Sequence, residues 1–81
     1  MNTKHIKVLI DGQLIKISCR TLADGTWSVV GWGNFVSLRS TDTEIDQNLN
    51  EFARYLLYIN DLQTNSKDID IIVNKIEEAI R

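Results

Sequence analysis

Three patterns in this chain predict a two-layer α+β domain: a four-stranded antiparallel meander followed by two antiparallel helices packed on one of its faces. Residues 4–40 alternate apolar and polar with a period of two, and Asp-Gly and Gly-Asn pairs interrupt the alternation. Past Arg39 the apolar period lengthens to about 3.6. The later segments each carry one apolar stripe, which a half-apolar sheet can cover. Eighty-one residues suffice for one modest core, so 1–81 is expected to form a single domain, with the sheet over about 4–40 and helices over about 42–62 and 66–80.

Strands are predicted near 4–11, 14–22, 26–32 and 35–40. In the first, Ile6, Val8 and Ile10 share one side while His5, Lys7 and Leu9 share the other. Asp11-Gly12 fits a two-residue hairpin loop, and pairing Ile10 with Gln13 carries Ile15, Ile17 and Cys19 onto the Ile6 side. The second turn decides the orientation of everything after it. A two-residue Asp24-Gly25 loop would place Ser28, Val30 and Trp32 inside, a poor core. A three-residue Ala23-Asp24-Gly25 loop, with Gly25 in the left-handed position of a bulge, places Trp27, Val29, Val36 and Leu38 inside instead and is preferred. Gly33-Asn34 closes the third hairpin, with Trp32 opposite Phe35 and Gly31 opposite Val36.

Thr41-Asp42-Thr43-Glu44 fits a capping box and is expected to open the first helix. Its buried stripe would be Ile45, Leu49, Phe52, Ala53, Leu56 and Ile59, widened by Tyr55, Tyr58 and Leu62. Gln63-Thr64-Asn65-Ser66 breaks the pattern, and Ser66 can cap a second helix whose stripe is Ile69, Ile72, Val73, Ile76, Ala79 and Ile80.

The formal net charge of -2 hides an asymmetry. Residues 1–40 hold five basic and two acidic residues, about +3, whereas the remainder comes to about -5. With the helices on the Ile6 side, the uncovered face carries Leu9, Leu14, Val30, Trp32 and Phe35 together with Lys16, Arg20 and Arg39. Aromatic anchors in an apolar patch bordered by cations match the makeup of an interface centre and its rim. These eight residues are the candidate partner-binding set. Trp32 and Phe35 could equally serve as a cross-strand pair that only stabilises the hairpin.

Catalytic chemistry is not expected. The strand parity places Cys19 inside and His5 outside, on different strands, and Gly31-x-Gly33 lies between strands instead of before a helix, unlike a phosphate-binding loop. One cysteine permits neither an internal disulfide nor a cysteine-rich zinc site, so no metal and no cofactor is expected and a cytoplasmic setting is the simplest reading. No segment reaches membrane-spanning length and no leader pattern opens the chain, so no membrane association is expected.

Within residues 24–60, the run Asp24-Gly25-Thr26-Trp27-Ser28-Val29-Val30, then Val36-Ser37, then residues 42–51, resembles HicB-type antitoxins, in which two strands joined by a short turn lead into a helix. The resemblance covers under half the chain, and Gly31-Trp32-Gly33-Asn34 stands where that family has a proline-rich turn, so no functional residue is carried over. The general design is also similar to that of small phage-encoded anti-CRISPR proteins, and design does not specify function. The expected role is therefore a small non-enzymatic regulator, inhibitor or antitoxin-like protein that binds a protein partner, itself included as a homodimer. A single-stranded nucleic-acid-binding module is one alternative. Another is a homodimer that inhibits a basic partner through its acidic helical surface, as an anti-defence protein would.

Overall fold

A computed structural model describes residues 2–33, 36–45 and 47–81. Four strands, β1 (Asn2–Ile10), β2 (Gln13–Thr21), β3 (Trp27–Gly31) and β4 (Ser37–Arg39), pair antiparallel in the order β1-β2-β3-β4, and two helices, α1 (Leu49–Ile59) and α2 (Ser66–Ile80), follow. This is the expected α+β meander with two helices.

The turns set the register. Asp11 and Gly12 both take positive φ, 48° and 78°, as a two-residue hairpin loop requires, and Ile10 pairs with Gln13. The second loop has three residues. Leu22 and Thr26 close it through a 2.8 Å backbone hydrogen bond, the Gly25 N–H reaches the Leu22 carbonyl, and Gly25 sits at φ 90°. The Asp24 carboxylate accepts from both the backbone N–H and the hydroxyl of Thr26, which holds its pKa below the ordinary 3.8. Because this loop carries the extra residue, Val29 and Leu38 are buried and Trp27 and Val36 are partly buried, all on the side of Ile6, Val8, Ile15, Ile17 and Cys19. The Gly31 N–H donates to the Val36 carbonyl; Asn34 and Phe35 lie outside the described residues, and with them the expected Gly33-Asn34 loop and Trp32–Phe35 pair.

Helix α2 lies over β1 and β2 through Ile69, Ile72, Ile76 and Ala79, and α1 packs beside it and reaches β4. Phe52, Ala53, Leu56 and Leu57 supply the buried face of α1. Leu56 sits so close to Gly31 that a β-carbon there would lie 2.5 Å from a Leu56 methyl carbon.

Two helix starts differ from expectation. Helix α1 begins at Leu49, not near Asp42, and its cap is Asn48, whose side chain accepts from the Glu51 N–H. Asp42 is engaged elsewhere. Its carboxylate accepts the Arg39 N–H at 2.9 Å and its own N–H donates to the Arg39 carbonyl, so the residue proposed for a helical first turn instead closes the end of the edge strand. Ile45 consequently lies before the helix and is 96% exposed instead of buried. Helix α2 spans the expected residues, but Asn65 caps it, accepting from the Asp68 N–H while donating to the Asp68 carboxylate, and Ser66 is the first helical residue. The C-terminus of α1 closes with Asp61 at φ 58°, its N–H donating to Tyr58 and that of Leu62 to Leu57, the two bonds of a Schellman motif.

Candidate binding face

The face of the sheet turned away from the helices is ordered in rows by the strand register. Thr3, Arg20, Ser28 and Arg39 make one row and His5, Ser18, Val30 and Ser37 the next. Lys7 and Lys16 follow, with Trp32 in line because its N–H donates to the Lys16 carbonyl at 2.9 Å, and Leu9 opposite Leu14 ends the face. Leu9, Leu14, Val30 and Trp32 remain exposed, as do Lys7, Lys16, Arg20 and Arg39. The structure thus brings seven of the eight candidate residues onto one surface, and the eighth, Phe35, lies outside the described residues.

Not one of the four strands contains an aspartate or glutamate. All four cations of the open face therefore stand on strands that carry no balancing charge of their own. Lys7 and Lys16 are direct cross-strand neighbours. Since the Lys16 carbonyl turns to β3, the two form a non-hydrogen-bonded pair, whose side chains start only about 4.5–5.5 Å apart. Among the described residues neither ammonium group meets a carboxylate. Like charges facing each other in this way destabilise a sheet.

Trp32 does not stand up from its hairpin. The indole N–H donates to the Ser18 hydroxyl, and the ring lies edge-on to His5, centroids 5.9 Å apart and planes at 88°. Ser18 also bonds His5 Nδ1 at 3.0 Å, so one hydroxyl ties the two rings together across three strands. Thus pinned, Trp32 is still 58% exposed. A recess of about 250 Å³ opens beside it, lined by His5, Ile6, Lys7, Lys16, Ile17 and Trp32. A second recess on the same face is bordered by Arg20, Arg39, Ser28 and Val30.

His5, Ser18 and Lys7 are not among the eight candidate residues that the sequence pattern picks out. The register alone places all three beside Trp32, since His5 pairs with Ser18, Lys7 with Lys16, and Trp32 adjoins Lys16. The expected apolar cluster of Leu9, Leu14, Val30 and Trp32 is also divided: the lysine row separates the leucines from Val30, and Trp32 leans toward His5. Cys19 is buried against the helices, and burial raises its thiol pKa. Among the described residues no group of three or more histidine, cysteine or acidic side chains converges on a point where a metal could sit, and no helix is long and apolar enough to cross a membrane.

No protein-family model matches the chain, and neither a curated protein nor a solved structure matches it.

Proposed function

We propose that this protein acts by binding, as a small non-enzymatic regulator or inhibitor, and that the open sheet face is the surface that takes hold of its macromolecular partner. The observation that carries this reading is the pinned, half-exposed Trp32 beside the facing Lys7 and Lys16, on strands without carboxylates and on a face left bare by both helices. A pre-positioned aromatic loses little conformational entropy on contact, and bordering cations steer an oppositely charged partner. The same charge disfavours pairing of this face with its own copy, since four cations would then oppose four. The acidic helical side makes a weaker candidate because Asp68 is engaged in capping α2, and Glu51 lies 3.8 Å from Arg54.

Partner capture from host extract tests the reading. Trp32→Ala and Lys16→Glu should lose the captured species while retaining the wild-type circular dichroism, and Tyr58→Ala on exposed α1 surface should not. Equal capture by all four proteins contradicts it.

A further inference from the structure

Resting on that reading of the open face, we infer that its partner is single-stranded nucleic acid, bound with a phosphate between Lys7 and Lys16 and a base against Trp32. The lysine pair is the first reason. Two ammonium groups face each other with no carboxylate beside them among the described residues, an arrangement that costs the free protein stability and that a bound anion relieves. The second reason is what adjoins them. The recess these lysines line is walled by Trp32 and His5, so an anion site and a flat stacking surface share one small cavity. Base and phosphate are the two halves of a nucleotide, and every base has a π-face on which an indole can stack.

Two features favour a strand over a free nucleotide. Arg39 lies on the same face beyond the His5–Ser18–Val30 row and borders the second recess, so positive charge continues past the first site. The face is also open across all four strands, which suits an extended chain and not an enclosed small molecule. An acidic polypeptide would satisfy the cations but has no need of a pinned indole beside them. Net acidity of the whole molecule is no obstacle, because no carboxylate stands within a strand: they fall on the turns and on the segments after β4, where Asp42 meets the Arg39 backbone two rows from the lysine pair.

Fluorescence anisotropy of a labelled oligothymidylate of about 15 nucleotides, at about 20 mM and about 200 mM salt, tests this directly, with thymidine monophosphate, blunt duplex DNA and poly-glutamate as competitors. Binding should weaken with salt, by roughly a hundredfold across that range if three phosphates are held. Lys7→Gln with Lys16→Gln should flatten the salt dependence, and Trp32→Ala should weaken binding roughly tenfold at either salt, while Trp32→Phe keeps most of it. Each variant is first checked for wild-type thermal unfolding. Competition by the monophosphate as effective as by the strand would overturn the single-strand assignment. Binding of labelled poly-glutamate without binding of the oligonucleotide would overturn the nucleic-acid assignment while leaving the open face as a protein-binding surface. Absence of all binding at low salt overturns the inference, and host capture unaffected by Trp32→Ala would then remove the broader reading as well.

Discussion

Gly31 owes its identity to a helix as much as to the turn beside it. Buried on the core side of β3, it admits Leu56 of α1 to within a distance that leaves no room for a β-carbon. Leu56 is itself fully buried, so its displacement would disturb neighbours on every side. Gly31→Ala should therefore destabilise the fold by about 1–3 kcal/mol in denaturant unfolding. The sequence shows a glycine next to a turn, and a turn explains it well enough; the close approach of a helix some 25 residues later cannot be read from local pattern. Asp61 is the converse case, a non-glycine held at φ 58° in the Schellman turn. Asp61→Gly should stabilise the protein by about 0.5–1 kcal/mol, read as a shift in denaturant midpoint. Cys19 belongs at this scale too. Burial raises its thiol pKa above the ordinary 9.0, so the unfolded chain releases its thiol proton first and stability should decline as pH rises through 9. Replacement by serine should remove that slope.

At the level of elements, the sheet was legible because two independent signals agreed. Turn chemistry fixed where the chain reverses, and the parity of apolar residues fixed which loop length gives a coherent core; Ala23-Asp24-Gly25 is the instance in which both were needed. Helix α1 was legible in its body and not at its start. Thr41-x-x-Glu44 and Asn48-x-x-Glu51 both suit a capped N-terminus, and they lie seven residues apart, almost two helical turns, so Ile45 stays in phase with the stripe that Leu49 and Phe52 begin. Periodicity cannot separate the two. What separates them is a turn at the end of β4: the Arg39 backbone at the sheet edge claims Asp42. Asn48→Ala should accordingly cost about 1 kcal/mol of stability, whereas Thr41→Ala should change it by no more than a few tenths. A reversal of those two effects would restore the earlier helix start.

Over the whole molecule, folding sorts the charges. The strands collect basic residues without acidic ones, α2 carries more acids than bases, and the helices cover only the side of the sheet that holds the apolar core. The sequence disclosed the imbalance between its halves, but not that the cations gather around Trp32, since that depends on rows formed between strands distant in the chain. A consequence for the free protein is that Lys7→Glu, which turns a repulsive cross-strand pair into an attractive one, should raise stability by about 0.2–1 kcal/mol while removing part of the anion site. The most direct measurement compares two double variants that remove the same charge from opposite sides of the molecule: Lys7→Gln with Lys16→Gln on the sheet, and Lys67→Gln with Lys75→Gln on α2, each assayed for oligonucleotide binding at low salt. The open-face account predicts that the sheet pair loses most of the affinity and the helix pair keeps it. Equal losses from both pairs, or no loss from the sheet pair, would contradict it.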